Sequence, residues 1–122
     1  MTSTTIRTLK PVSNKTALHF KWGDQCDGWW LKNTGKFTVI SESMPPHTSE
    51  KKHYHKHTEQ FFYCLSGELS INLNHQVHML PEHHGLAIPA GMVHTVKNTS
   101  ENPVQFLVIS APNSHEDRID LE

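Results

Sequence analysis

His53-Tyr54-His55-Lys56-His57-Thr58-Glu59-Gln60-Phe61-Phe62-Tyr63-Cys64-Leu65-Ser66-Gly67 is the stretch on which the reading of this chain turns. Its period is two, not 3.6. Side chains at i and i+2 of a strand point to one face, so His53 and His55 are expected side by side, with His57 in the same parity. The apolar run Phe61–Leu65 ends on Ser66-Gly67, a strand followed by a turn. Beyond Gly67, Leu69, Ile71 and Leu73 alternate with Ser70 and Asn72, the pattern of a half-buried strand. Asn74-His75 is expected to be a hairpin tip, with Val77 and Met79 on the return. Leu86-Ala87-Ile88 runs into the turn Pro89-Ala90-Gly91, and Val93–Val96 opens a further strand. Before the stretch, Phe37–Ile40 is rich in strand formers and is closed by Pro45-Pro46; after it, Phe106–Ile109 lies between Pro103 and Pro112. Many short strands at regular spacing predict an all-β sandwich or closed barrel.

The chain has 122 residues, one ordinary domain, and its formal net charge of -1 gives it no basic bias toward nucleic acid or anionic membrane. The longest apolar run is far too short to span a bilayer. The first ten residues lack the apolar core of a signal peptide. Cys26 and Cys64 form no paired framework. A cytoplasmic protein with reduced thiols is the expectation. Basic residues (Arg7, Lys10, Lys15, Lys21) precede the first acid, Asp24, and acids (Glu116, Asp117, Asp120, Glu122) crowd the end, which reads as two solvated termini. Histidine is the anomaly: there are eleven, and nine fall between His47 and His94. Imidazole is the commonest side-chain metal ligand, so spacing must decide which of them matter.

A lone His-x-His is weak evidence, and a third ligand must come from elsewhere in the fold. His94 is the candidate, held near the start of a strand by the rigid turn before it. Here the chain resembles the cupin family in two motifs. Against the family's Gly-x5-His-x-His-x(3,4)-Glu-x6-Gly the chain reads His47-x5-His53-x-His55-x4-Gln60-x6-Gly67. Against Gly-x5-Pro-x-Gly-x2-His-x3-Asn it reads His83-x5-Pro89-x-Gly91-x2-His94-x3-Asn98. The short gap between them, Glu68 to Glu82, resembles microbial members. The resemblance implies an all-β double-stranded β-helix, the jelly-roll barrel of RmlC-like cupins. On that frame, residues 1–35 are an N-terminal arm and leading strands of the same domain, 36–112 the barrel, and 113–122 a C-terminal tail.

The resemblance further implies one divalent transition metal (iron, nickel, zinc, manganese, cobalt or copper) on His53, His55 and His94. Gln60 stands where the family places a glutamate ligand. Glu59 fits the shorter spacing from His55, but counting back from Gly67 favours Gln60; Glu59 and His57 are the substitutes. Three imidazoles and an amide leave the full charge on a divalent ion, which favours anionic oxygen donors. His47 and His83 replace the two motif-opening glycines, at positions that call for unusual backbone angles unless Gly85 absorbs the second turn.

Parity from Gln60 adds Phe62 and Cys64 as pocket liners, or else plain barrel core. Trp22, Trp29 and Trp30 are expected at a dimer interface, with a cap over the barrel mouth as the alternative for Trp29 and Trp30. His75, His78, His83 and His84 are expected at the surface, and His115 in the tail. The family spans many chemistries, so fold alone names no reaction. Expected is a metal-dependent enzyme of dioxygenase, isomerase or lyase type, acting on a small oxygenated acid or enolizable carbonyl. The alternatives are a non-catalytic binding or sensing cupin, and a barrel merely stiffened by its metal. A small-molecule ligand and a homodimer are the expected partners, with neither nucleic acid nor membrane.

Overall fold

Twelve strands and no helix form among the described residues of this computed structural model, which are 9–113 and 117–121. None of these residues therefore belongs to a helix long and apolar enough to cross a membrane. His115, with Arg7, Glu116 and Glu122 of the charged termini, lies outside the described residues.

The strands are β1 (Leu18–Trp22), β2 (Cys26–Asn33), β3 (Thr38–Met44), β4 (Thr48–Ser49), β5 (His53–His55) and β6 (Glu59–Ser66). They continue as β7 (Leu69–Leu73), β8 (Gln76–Leu80), β9 (Gly85–Ile88), β10 (His94–Asn98), β11 (Val104–Ala111) and β12 (Arg118–Asp120). One antiparallel sheet runs β1-β2-β3-β11-β6-β9. The other runs β12-β5-β10-β7-β8, with β4 also on β10. Non-consecutive neighbours in both sheets are the mark of a double-stranded β-helix, and the all-β reading holds.

Alternation explains the layers. In β11 Val104, Phe106, Val108 and Ser110 are buried while their odd neighbours are not. Phe106 joins Met44, Leu69, Ile71, Ile88 and Val96 in a core at one end of the barrel. Truncating a side chain of that kind costs roughly 3–5 kcal/mol. Asn98, at the end of the second motif, is also buried. Its amide donates to the carbonyls of Met44, Pro45 and Asn102 at 3.0, 3.1 and 2.8 Å, stapling two loops at that end.

The turns follow the sequence in part. Asn74 (φ 50°) and His75 (φ 68°) make the hairpin tip with both central residues left-handed, as a tight two-residue loop requires. His47 and His83 take φ values of 60° and 66°, so the histidines themselves adopt the glycine-like angles. Gly85 does not absorb the second turn. It sits in β9, where an added Cβ would come within 2.4 Å of the Phe61 ring. The residues before 35 supply leading strands, the regular hairpin β1–β2, which extends the first sheet. One reading of the termini changes. The acidic end, read as a solvated tail, contains β12, which pairs in register with β5: Arg118 with His55 and Asp120 with His53.

Candidate metal centre

Register brings the three histidines together. His53 and His55 project inward from β5, and His94 is the direct partner of His53 across the β5–β10 ladder. All three are buried. Their ring centroids are 4.3 Å (His53–His94), 5.2 Å (His53–His55) and 6.1 Å (His55–His94) apart. One nitrogen from each lies within 4.8 Å of the others.

The other nitrogens fix the tautomers. His53 Nδ1–H donates to the Lys51 carbonyl at 2.9 Å and His94 Nδ1–H to the Met92 carbonyl at 3.0 Å. His55 Nδ1–H donates to Asp117 Oδ1 at 3.0 Å. Each ring therefore keeps a bare Nε2 lone pair, the outer-shell arrangement that orients metal ligands. His94 Nε2 is buried with no hydrogen-bond partner, a state that costs free energy unless something binds there. Burial is also the main force driving the His53 pKa down to about 3, and it lowers that of His94. Both are thus neutral at neutral pH, as metal ligation needs. The donor set fits an ion held at about 2.0–2.1 Å from nitrogen, and these three histidines could hold a metal.

Gln60 points inward from β6. Its Nε2 donates to Ser110 Oγ at 3.0 Å, and its Oε1 is buried without a partner. Glu59, next along the strand, is exposed on the outer face. His57 is exposed as well, and only its backbone N–H is engaged, with Asp117 Oδ2 at 2.8 Å. The structure thus leaves both substitutes outside the histidine cluster.

Beside the cluster opens a cavity of about 240 Å³. His53, His55 and Gln60 line one side, Ile40, Phe62 and Val108 the floor, and Phe20, Trp22 and Trp30 the rim. Phe62 is therefore a pocket residue. Cys64 is not: it is packed in the core, its Sγ 3.5 Å from the Gly67 carbonyl, and burial pushes its thiol pKa up. Trp22 and Trp30 line this cavity. Trp29 faces the other way and packs on His19 at 5.3 Å.

Four charged residues that the sequence did not single out complete the site. Asp117, just before β12, accepts from the His55 ring and from the backbone N–H groups of His57 (2.8 Å) and Thr58 (2.9 Å). Burial alone would raise its pKa, but these hydrogen bonds hold it at about 2. Glu50 accepts from Val96 N–H at 3.2 Å, stands 3.7 Å from His53 Nδ1, and faces Arg118 Nη1 at 3.8 Å. Burial pushes the Glu50 carboxyl up to about 7 against the opposing pull of Arg118. Glu42, on β3, projects into the cavity; burial first, and then the charge of Glu50, raise its pKa well above the usual carboxylate range. One signal for Glu42 was present in the sequence: it shares parity with Ile40 and Met44, so an inward strand face carries a carboxylate. Asp117 and Arg118 gave none.

Comparison with known proteins agrees with this geometry. The family model described as the cupin domain matches residues 40–110. A polyketide synthase, CurC of Streptomyces cyaneus, is 29% identical over 69 residues, which is 57% of this chain and 45% of that protein. Quercetin 2,3-dioxygenase of Bacillus subtilis is 34% identical over 67 residues, 54% of this chain and 20% of the enzyme. The chain thus spans less than half the length of these curated relatives. Among solved structures, the polyketide cyclase RemF of Streptomyces resistomycificus superposes with a TM-score of 0.78 at 17% identity, over 94% of this chain and 88% of that one. At that identity the likeness is one of fold.

Proposed function

The chain belongs to the cupin family, and on that premise we propose that His53, His55 and His94 hold one divalent transition metal, with Gln60 Oε1 as a fourth ligand. The observation that carries this is the convergence of three bare Nε2 lone pairs, one of them buried and unpartnered on His94. Four neutral donors leave the ion's full charge to act on a bound oxygen. The metal is iron, nickel, zinc, manganese, cobalt or copper, all of which accept such a site.

The protein on this reading is a metal-dependent enzyme of dioxygenase, isomerase or lyase type, acting on a small oxygenated acid or enolizable carbonyl. A cavity of about 240 Å³ against two of the histidines supports a ligand rather than a merely stiffening metal. That volume lies below the roughly 300–1,000 Å³ of drug-sized pockets, so the ligand is small. The names of the relatives, a polyketide cyclase and a dioxygenase, suit an enolizable substrate.

We also take the chain to be one cytoplasmic domain, from the leading hairpin to the tail, with no nucleic-acid partner; the net charge of -1 supports the last point. A homodimer is proposed through the outer face of the first sheet, where Phe61 is 40% exposed beside Ala87, Pro89 and Ile109. Sedimentation showing a monomer at micromolar concentration would remove that part.

The decisive test is elemental mass spectrometry on untagged protein. About one equivalent of a transition metal is expected from the parent chain and none from His94→Ala. Gln60→Ala should weaken retention while Glu59→Ala leaves it intact. The reverse order sinks Gln60 as a ligand, and no metal in the parent even after soaking sinks the metal reading.

A further inference from the structure

Glu42 has no structural explanation within the barrel. It faces Gly28 of β2 on one side and Phe106 of β11 on the other, in a cross-strand row that ends on Cys64. Phe106 and Cys64 are wholly buried, so the row is an apolar one interrupted by a carboxylate. Among the described residues none donates it a hydrogen bond. Glu42 is half-buried with its side chain on the cavity, and a carboxylate set into an apolar row at a cavity wall is a place for a ligand's donor to bind.

Its surroundings say what kind of ligand. Gly28 is needed directly beside it, because a Cβ there would come within 2.2 Å of the Phe20 ring. The missing side chain lets Phe20 lie over the sheet and join Trp30 on the cavity rim. Phe62 forms the floor opposite. Flat apolar walls of this kind suit a planar ligand. The charged groups facing Glu42 are Glu50 and Arg118. Two carboxylates against one guanidinium disfavour a ligand that arrives as a carboxylate and favour one that brings a proton.

We propose that Glu42 is the proton acceptor of this cavity, serving a compact planar ligand that carries an acidic enol or phenol hydroxyl. The ligand's O–H bond breaks, its proton goes to a Glu42 carboxylate oxygen, and the electron pair stays on the ligand oxygen as an enolate or phenolate. Arg118 lies on the same cavity to offset that charge. Burial strengthens the base by raising its proton affinity toward that of an acidic hydroxyl. The proposal rests on the reading of this cavity as the ligand site, and it gives the glutamate lost at Gln60 a counterpart on another strand.

The probe is 4-nitrophenol, whose ionised form is yellow and whose neutral form is not. It is titrated into the protein as purified, at pH values through and above the probe's own ionisation range, with absorbance and tryptophan fluorescence read together. Wild-type protein should bind the yellow form together with one proton, so its affinity should fall about tenfold per pH unit above that range. Glu42→Gln, which has no carboxylate to take the proton, should show no such fall. Glu42→Asp, with the same charge on a shorter stem, should restore it, and far-UV circular dichroism checks the fold of both variants. A wild-type affinity that does not change with pH there, an equal fall with Glu42→Gln, or no binding at all would each overturn the proposal. Metal content on the same samples keeps the two readings apart. Metal surviving His94→Ala would sink the metal centre while the nitrophenol result stands or falls on its own.

Discussion

Replacing Asp117 by asparagine alters one atom type at the rear of the site and nothing in its shape. The carboxylate accepts three N–H donors: the His55 ring at 3.0 Å and the backbones of His57 and Thr58 at 2.8 and 2.9 Å. An amide has one accepting oxygen and an NH2 that cannot accept, so at least one of those donors is left facing a donor. If the oxygen stays with the two backbone groups, His55 must move its proton to Nε2, the nitrogen meant for the metal. If it turns to His55, two backbone groups in a nearly buried corner lose their partner. Hydrogen bonds to charged groups contribute about 1.5–3 kcal/mol, and loss of such an outer-shell carboxylate costs roughly 10–100-fold in metal affinity. Asp117→Asn is therefore expected to weaken metal binding by that factor in a chelator competition, with the barrel still folded. Asp117→Ala, which removes both oxygens, should lose more. A correctly folded Asp117→Asn protein that binds metal within twofold of the parent would refute the idea that this carboxylate sets the His55 tautomer.

Three other outcomes follow from the backbone and the surface. Gly28→Ala drives a methyl into the Phe20 ring, which a Cβ would approach to 2.2 Å; a loss of about 1–3 kcal/mol is expected in urea unfolding, together with a shifted tryptophan emission. His83→Gly should stabilise by roughly 0.5–1 kcal/mol, because relief of the left-handed strain at φ 66° exceeds the entropy cost of glycine; a lower urea midpoint would contradict this. Asp27 accepts from Lys21 and His19 at 2.8 and 2.7 Å, and these two, Lys21 first, lower its pKa below 3.8. A lowered carboxylate pKa adds stability above the unfolded value, and that stability is lost as pH falls below it. The Asp27→Asn penalty should thus be roughly 0.2–1 kcal/mol at neutral pH and vanish in acid. A penalty that persists at low pH would point to shape instead of charge.

The barrel and its histidines were legible because both are periodic. Alternation marked β7, apolar runs bounded by turn residues marked β6 and β11, and the i, i+2 rule put His53 and His55 on one face. The departures from glycine at His47 and His83 were legible too, since the backbone requirement survived the change of residue. The rest was hidden for physical reasons. Asp117 meets His55 across 62 residues of chain, and nothing local in an acidic terminus distinguishes one partnered carboxylate from its solvated neighbours. Trp30 and Trp29 differ in facing cavity and exterior, but Cys26, Gly28 and Trp30 read no more apolar than Asp27, Trp29 and Leu31, so alternation does not tell which face of β2 turns inward. Glu50 lies just before β5, with no strand period to place it.

The pairing of β12 with β5 has a consequence in time as well as in space. Synthesis runs from the N-terminus, so every strand from β1 to β11 leaves the ribosome before Asp117 and Arg118 do. The ladder that sets His94 beside His53 does not involve β12, whereas His55 gains its carboxylate and the cavity its guanidinium only when β12 docks on β5. A chain cut before Asp117 is therefore expected to keep the three imidazoles but to lose the acceptor that holds the His55 proton on Nδ1, and on the proposed reading of the site to bind metal more weakly.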